Sequence, residues 1–129
     1  MSLWKALANF MIQNNLRDIV GCVSIPMNLS QGDNRQIGMG HAAASIWRKM
    51  KEKHMASSEY QVKPHLPLPL EKLNQTLEID PPPLVKGYLR VGAKVLGAPA
   101  WDPSFNTADV PMLMRMDDLP SRYRKHFLG

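Results

Sequence analysis

The chain has 129 residues, 44% of them hydrophobic, and carries a formal net charge of +5. This length fits one compact domain, and the apolar share argues against wholesale disorder. The positive charge favours anionic partners, but it does not choose among acidic proteins, phosphate-bearing cofactors, lipid headgroups and nucleic acid. A single cysteine, Cys22, excludes an internal disulfide, and no signal peptide opens the chain, so we expect a cytoplasmic protein.

A helix and a strand are the first predicted elements. Apolar residues recur at spacings of three and four from Leu3 to Met11, which predicts a helix over residues 2–14 with Ser2 as its cap and an Asn-Asn pair at its end. Residues 18–26 are β-branched with small residues among them and a terminal proline, which indicates a strand. Since this run lacks polar alternation, we expect both of its faces to be covered.

A loop, a second helix and a connector follow. Residues 27–36 are polar and contain glycine, aspartate and asparagine, which indicates a loop. Residues 38–54 combine an apolar stripe with a basic side, the pattern of an amphipathic helix. Residues 60–83 are a proline-rich internal connector, extended at first, with a short helix predicted over residues 71–77.

The last third of the chain is predicted to contain two strands and a helix. Residues 84–96 mix apolar and basic positions, and their periodicity alone leaves helix and strand open. Residues 97–106 are predicted to be a turn region, 107–116 the last strand and 121–127 a C-terminal helix. The order α-β-α-β-β-α predicts one domain over residues 1–129, with helices covering a small sheet; this is an α+β class with layers of the α/β type, and the order alone leaves α/β open.

Familiar motifs of catalysis and binding are absent from the sequence. It has no Walker-type phosphate loop, no GxGxxG after a strand, no Gly-x-Ser-x-Gly elbow and no Cys/His spacing that fits zinc. Four histidines lie far apart and are interpreted as surface or packing residues; they are His41, His54, His65 and His126. Composition and spacing therefore leave the chemistry open, and no metal is expected.

Three stretches of the sequence resemble one enzyme family. They are residues 19–26 (IVGCVSIP), residues 84–93 (LVKGYLRVGA) and residues 97–109 (GAPAWDPSFNTAD), with Arg122-Tyr123 and His126-Phe127 near the end. Together they are similar to the C-terminal half of the GNAT-like N-acyltransferases that make ornithine lipid, whose members are often labelled haemolysin-like. The resemblance covers nearly the whole chain.

The resemblance implies a partial GNAT-like fold, with a helical turn and then a strand within residues 84–96. Family members transfer a fatty acyl group from acyl carrier protein, or from CoA, to an amine such as the α-amino group of ornithine. The phosphopantetheine arm of this donor substrate lies between two splayed central strands, and no cofactor is held tightly. The amine attacks the thioester carbonyl directly, helped by strand amides and helix dipoles.

The sequence departs from the family in one respect. The family's first half carries an arginine-rich opening, acidic residues on early strands and a glutamate-serine-arginine segment, and none of these is present here. We therefore expect the chain to hold only one of the two splayed strands and to be incomplete as an enzyme. Its exposed sheet edge is expected to take the missing N-terminal half or a second copy of the chain.

The resemblance also assigns roles to polar residues. The substrate-binding candidates are Lys86, Arg90, Asp102, Thr107 and Asp109, and the catalytic candidates are Asp109 and Ser24. A carboxylate could bind the incoming ammonium group or accept its proton, and an arginine could hold a phosphate or carboxylate. The alternatives are a structural salt bridge at Lys86, turn chemistry at Asp102 and, for Ser24, a hydroxyl bonded to backbone.

Other residues carry weaker functional interpretations. Cys22 is interpreted as a small buried thiol, since no basic neighbour is evident that would lower its pKa, and Trp101 and Phe105 as core anchors. The basic side of the second helix is either a solvated face or a docking surface for an acidic carrier protein. The residues of this side are Arg48, Lys49, Lys51 and Lys53.

Two further functions compete with acyl transfer. One is a non-catalytic module that oligomerises through its open sheet edge. The other is nonspecific nucleic-acid binding, which ranks last because the basic residues are not interleaved with aromatic ones on a sheet platform. Peripheral contact with the anionic inner membrane surface is a further expectation, since the net charge is positive.

Overall fold

The computed structural model describes residues 3–28, 40–119, 121 and 125. In this part of the chain the main helices are α1 (Leu3–Gln13), α2 (His41–His54) and α3 (Pro83–Arg90), and the strands are β1 (Asp18–Pro26), β2 (Lys94–Val95), β3 (Ala100–Asp102) and β4 (Thr107–Arg115). The predicted α+β class is confirmed. Ser121 and Lys125 are helical, and the rest of the predicted C-terminal helix lies outside the described residues.

The strands form one antiparallel sheet in which β4 is central. Its order is β1-β4-β2, and β3 also pairs with β4. The β1–β4 ladder runs over nine residue pairs, from Asp18 opposite Arg115 to Pro26 opposite Thr107. In the described part of the chain no strand pairs with the other edge of β1. This small, open sheet is consistent with a partial GNAT-like fold.

Helices cover one face of the sheet. Val23 and Ile25 of β1 and their cross-strand neighbours on β4 pack with α2 in the main core, and Met114 packs with Met11 of α1. These positions share a face because directly opposed residues of an antiparallel pair project to the same side. The core therefore lies between the helices and one side of the β1–β4 ladder.

The opposite face of β1 is open, so the prediction that both faces of this strand are covered is wrong. Asp18, Val20, Cys22, Ser24 and Pro26 alternate with the core positions and are all exposed, Val20 by 68%. The run lacks polar alternation because several outward positions hold small or apolar side chains, not because a second layer covers them. Absence of polar residues thus did not distinguish an edge strand from a buried one.

Residues with a positive φ mark the end of α1 and the start of α2. Asn15 adopts a left-handed conformation (φ 55°), and the Leu16 N–H donates to the Met11 carbonyl at 2.8 Å, so the predicted asparagine stop of α1 is confirmed. Gly40 precedes α2 with φ 96°, and a Cβ at this position would come within 2.6 Å of the Met27 side chain. The predicted cap Ser2 lies outside the described residues.

The later predictions for helices were correct in part. The apolar stripe of α2, including Ile46, Trp47 and Met50, is buried as predicted. The short helix predicted over residues 71–77 is wrong, because only a 3-10 turn forms at Leu70–Lys72. Beyond it the backbone is bonded to the buried Ser45, whose hydroxyl donates to the Asn74 carbonyl and accepts from the Leu77 N–H.

The connector is tied to the sheet by backbone hydrogen bonds. The Val62 N–H donates to the Leu96 carbonyl, and the Trp101 N–H donates to the Leu66 carbonyl, both at 2.8 Å. The predicted turn region 97–106 contains the strand β3, which pairs with β4 and which the sequence did not indicate. Gly97 permits this approach, since a Cβ there would lie 2.1 Å from the Val62 carbonyl oxygen.

Candidate functional site

Three residues that the sequence singled out meet on the open face of the sheet. The Ser24 hydroxyl of β1 donates to Oδ1 of Asp109 on β4 at 2.8 Å. The Thr107 hydroxyl donates to the same oxygen, also at 2.8 Å. We call Ser24, Thr107 and Asp109 the carboxylate cluster. It forms because Ser24 is directly opposite Asp109, while Thr107 is two residues away on the same face.

The cluster fixes the orientation of the carboxylate and leaves one oxygen available. Both hydroxyl donors bond Oδ1 of Asp109, and no hydrogen bond to its Oδ2 occurs within the described residues. Asp109 is half-buried and Ser24 exposed, so the carboxylate remains in reach of a ligand on this face. The interpretation of Ser24 as bonded to backbone is wrong, since its partner is a side chain on another strand.

Cys22 lies next to the carboxylate cluster along β1. Its side chain is exposed, because it lies on the face of β1 that no other element covers. The interpretation of Cys22 as a buried thiol is therefore wrong. Partial burial of the thiol raises the pKa of Cys22, and the negative charge of Asp109 raises it further. The thiol therefore stays protonated at neutral pH and is a poor nucleophile.

The free edge of β1 presents backbone groups beside the cluster. The Met116 N–H donates to the Arg17 carbonyl and the Met27 N–H to the Asn106 carbonyl, both at 2.9 Å. Because bonded pairs alternate in an antiparallel ladder, odd-numbered residues of β1 direct their backbone groups toward β4. Even-numbered residues direct theirs away from it. The outward N–H donors therefore belong to Asp18, Val20, Cys22 and Ser24.

Asp102 and its neighbours form a turn. The backbone N–H groups of Ser104 and Phe105 both donate to Oδ1 of Asp102, at 3.0 and 3.2 Å, and Asn106 is left-handed with φ 53°. Phe105 at the tip of this turn is 79% exposed and Trp101 is 37% exposed. The prediction that these two aromatic residues anchor the core is therefore wrong.

The predicted substrate-binding residues of α3 lie in a separate place. Lys86 forms an ion pair with Asp80 at 3.4 Å, as the structural alternative supposed. Tyr88 packs against the main core and Arg90 is exposed in the last turn of α3. No hydrogen bond or ion pair among the described residues joins Lys86 or Arg90 to the carboxylate cluster.

The basic side of α2 is exposed, and part of it is neutralised. Arg48 approaches Glu52 at 3.8 Å, and Lys49 pairs with Glu78 at 2.5 Å. Lys51 and Lys53 have no carboxylate partner in the part of the chain that the structure describes. None of the described helices is long and apolar enough to span a bilayer.

A second charged group on the open face was missed by the sequence reasoning. The Arg115 Nε donates to Oδ1 of Asp18 at 3.0 Å, and its guanidinium lies 5.2 Å from the ring centroid of Tyr60. The hydrogen bond to Asp18 raises the pKa of Arg115. Only the register of β1 against β4, which places Asp18 opposite Arg115, predicts this pair. The sequence alone does not give that register.

Two known proteins are similar to this chain. An L-ornithine N(alpha)-acyltransferase of Agrobacterium fabrum is 26% identical over 128 residues, which cover 98% of this chain and 43% of the relative. An L-ornithine N(alpha)-acyltransferase of Brucella abortus is 36% identical over 61 residues, which cover 46% of this chain and 22% of the relative. No protein-family model and no solved structure matches the chain.

The chain thus matches less than half the length of either relative. Partial coverage of this kind is consistent with the C-terminal half that the sequence resemblance indicated. The resemblance itself is confirmed, in that this chain is similar to a part of two proteins named L-ornithine N(alpha)-acyltransferase.

Proposed function

We propose that this chain supplies part of the acyl-transfer site of an N-acyltransferase in ornithine-lipid synthesis. The names of the two relatives support the reaction class. The observation that carries the proposal is the Asp109 carboxylate, which two hydroxyl groups hold on the open face with one oxygen available. In this proposal Asp109 is the group that binds the acceptor amine, and Ser24 and Thr107 position it.

The proposed chemistry follows from the position of this carboxylate. The ammonium group of the acceptor binds Oδ2 of Asp109 and loses a proton to it or through it to water. The free amine then attacks the thioester carbonyl, a C–N bond forms, the C–S bond breaks and the thiol leaves with a proton. Negative charge on the carbonyl oxygen in the transition state would be stabilised by outward backbone N–H groups of β1, such as those of Cys22 and Ser24.

The free edge of β1 is the proposed binding edge for the donor. A phosphopantetheine arm carries two amides, and its N–H and C=O groups can pair with the outward N–H and C=O of Val20 and the outward C=O of Cys22 as an extended peptide does, which leaves the N–H groups of Cys22 and Ser24 for the thioester oxygen. The donor is acyl carrier protein or acyl-CoA. For the carrier protein, the exposed cations of α2 are the proposed docking face, with Lys51 and Lys53 contributing more than the paired Arg48 and Lys49.

A second wall for the donor would come from the remainder of a longer protein or from another chain. This chain spans 43% of the Agrobacterium relative, and within the described residues only one edge of β1 is paired. A strand along the other edge would enclose the thioester and exclude water. Turnover is therefore proposed to need this chain together with the segment that the relative has in addition.

Reconstitution tests this proposal. The purified chain, the portion of the Agrobacterium relative that lies outside the alignment, and a mixture of both are each assayed with acyl-carrier thioester and ornithine. Turnover is expected only in the mixture, and the Asp109→Asn variant of this chain should lower it by about 100-fold or more. Robust turnover by the chain alone would contradict incompleteness. A stable complex of the two parts without any turnover would contradict the proposed reaction.

A non-catalytic oligomerising module is the second candidate function. The specific observation in its favour is the unpaired edge of the nine-residue strand β1, because free edges of this length readily pair with another chain. Sedimentation of the purified chain tests it. A dimer or larger species at micromolar concentration is expected, whereas a clean monomer would contradict it.

A further inference from the structure

A depression at one end of the open face lies between the sheet and the segment that follows α2. Its lining residues come from that segment, from β2, from β4 and from the turn after β4. The volume is about 210 Å³, which is below the range of about 300–1,000 Å³ usual for drug-sized ligands. The depression therefore fits only a small molecule, and neither the acyl-transfer chemistry nor the free edge of β1 uses it.

Strand register brings two cations to this depression. Lys94 of β2 is directly opposite Leu113 of β4, and Arg115 is two residues further along β4. Opposed residues, and residues two apart in one strand, project to the same side of a sheet. Lys94, Leu113 and Arg115 therefore share the open face, and all three line the depression.

Apolar side chains form the floor of the depression. Leu113 and Ala56 line it, are only 4% and 6% exposed, and pack with Leu96 in a small core of their own. The Ala56 N–H donates to the Val95 carbonyl at 2.8 Å, which fixes the segment after α2 against β2. A fixed apolar floor with a few polar groups at its rim is the usual arrangement of a small-molecule site.

One polar group at the rim has a structural explanation. The Arg115 Nε donates to Asp18 at 3.0 Å, and its Nη1 donates to the Tyr60 hydroxyl at 3.4 Å. This guanidinium therefore fastens the segment that contains Tyr60 to the sheet. Its Nη2 has no hydrogen bond among the described residues and stays available as a donor.

Lys94 and Asp118 have no structural explanation of this kind. Both line the depression, yet no ion pair joins them, and neither side chain has a hydrogen bond or ion pair with another described residue. Two opposite charges on one small depression that do not contact each other leave room for a ligand with both charges between them. A compact dianion such as phosphate would be attracted by Lys94 but repelled by Asp118.

We propose that Lys94, Arg115 and Asp118 form a binding site for a small zwitterion of the amino-acid class. The carboxylate of the ligand pairs with the Lys94 ammonium group and with Nη2 of Arg115, and its ammonium group pairs with the Asp118 carboxylate. The carbon atoms of the ligand lie on the apolar floor. Each charge of the ligand thus meets a group of opposite charge on the protein.

This site is distinct from the carboxylate cluster. Arg115 and Asp109 share the open face but are six residues apart, which is about 20 Å along β4. A small zwitterion cannot reach both places, so the molecule bound beside Arg115 is not the acceptor amine proposed to bind Asp109. The proposal does not rest on acyl transfer, and its test measures binding without turnover.

Probes of nearly equal size separate the two charges. L-Alanine carries both, L-alaninamide carries only the ammonium group, and propionate carries only the carboxylate. Each is titrated into the isotope-labelled full chain, and the backbone amide shifts of Lys94, Leu113 and Asp118 are followed by NMR. L-Alanine is expected to bind with a Kd on the order of 1 mM, because it has few atoms to engage. Each probe with a single charge should bind about tenfold more weakly.

Variants assign the binding to this depression. Lys94→Gln should weaken L-alanine about tenfold and leave L-alaninamide unchanged, whereas Asp118→Asn should weaken L-alanine about tenfold and not weaken propionate. Lys53→Gln and Asp117→Asn are the matched controls, since both residues are exposed and neither lines the depression. Lys94 and Asp118 are themselves at least partly exposed, so their variants should fold, and the amide spectrum checks this.

Two further probes complete the test. γ-Aminobutyrate carries the same two charges further apart, and inorganic phosphate carries negative charge alone. Binding of either zwitterion more tightly than of the probes with one charge supports the proposal. Equal affinity for L-alanine and its single-charge analogues, tighter binding of phosphate than of either zwitterion, no shift with either zwitterion, or wild-type affinity in both Lys94→Gln and Asp118→Asn would overturn it.

Discussion

Ser24 and Asp109 are 85 residues apart in sequence and are joined by a 2.8 Å hydrogen bond between hydroxyl and carboxylate. The bond crosses the β1–β4 ladder at its register pair, and Thr107 adds a second hydroxyl to the same oxygen. Antiparallel pairing therefore builds the carboxylate cluster from a serine and an aspartate that neither strand could bring together alone.

The first prediction concerns the stability of this cluster. Ser24→Ala and Thr107→Val should each lower the free energy of unfolding by about 1 kcal/mol, because each removes one hydrogen bond to a partly exposed carboxylate. In a double-mutant cycle with Asp109→Ala, both should show coupling, since they share its Oδ1. Urea denaturation measures these changes. Ser104→Ala is the control, because only its backbone N–H bonds Asp102; loss of stability there equal to that of Ser24→Ala would contradict the assignment.

Hydrophobic pattern and resemblance predicted much of the fold. The strand from Asp18 to Pro26, the helix ending at His54 and the last strand have local signals within their own residues. Resemblance to the family, and not periodicity, separated α3 from β2. The helix predicted over residues 71–77 failed because Ser45, distant in sequence, bonds that backbone, and no local pattern encodes such a contact.

The candidate site was predicted only in part, because it too depends on contacts between residues that are distant in sequence. Asp109, Ser24 and Thr107 were singled out individually, but their contact depends on register, which side-chain pattern alone does not fix. Asp102 was a substrate-binding candidate, with a structural role in a turn as the alternative. The structure supports the alternative, because its carboxylate accepts hydrogen bonds from the backbone N–H groups of Ser104 and Phe105 in the turn. The pair of Arg115 and Asp18 was missed because its members lie 97 residues apart.

The second prediction separates the two aspartates by activity. In the reconstituted enzyme, Asp109→Asn should lower kcat/KM for the acceptor amine by about 100-fold or more, because a neutral amide cannot accept the proton or balance the ammonium charge. Asp102→Asn should leave kcat/KM nearly unchanged, since Asp102 is engaged in a turn. Steady-state kinetics at varied ornithine concentration measure both. Equal losses in the two variants would contradict a specific role for Asp109.

The third prediction concerns the pH dependence of Cys22. Partial burial and Asp109 raise the pKa of its thiol, so the rate of alkylation by iodoacetamide should reach half of its maximum at a pH above that of an ordinary thiol. Asp109→Asn removes a negative charge that disfavours the thiolate, and the midpoint should move to lower pH. Asp102→Asn should leave it in place. An unchanged or higher midpoint in Asp109→Asn would contradict the placement of Cys22 beside this carboxylate.

The fourth prediction concerns the free edge of β1. Cys22→Pro removes an outward N–H while the inward hydrogen bonds of Val23 and Gly21 to β4 remain, so the fold should persist while association through this edge weakens at least roughly tenfold. Cys22→Ala keeps the N–H and is the matched control. Sedimentation velocity at micromolar concentrations measures the association. Wild-type association in the proline variant would show that contacts elsewhere hold the chains together.

The fifth prediction tests how the connector is fixed to the sheet. A Cβ on residue 97 would lie 2.1 Å from the Val62 carbonyl oxygen and 3.1 Å from its carbon, so Gly97→Ala must displace a backbone segment that is held by the bond from the Val62 N–H to the Leu96 carbonyl. We expect the free energy of unfolding to fall by about 1–3 kcal/mol, the range typical of overpacked sites.

Gly21→Ala is its matched control, because a Cβ on residue 21 meets no atom within 4 Å. Its effect should be neutral or stabilising by about 0.5 kcal/mol, since alanine restricts the unfolded chain more than glycine does. Urea denaturation of both variants, with equal m-values as the check on two-state behaviour, gives the comparison. If Gly97→Ala were as stable as Gly21→Ala, the connector could not lie against residue 97, and the path that carries Tyr60 to Arg115 would have to differ.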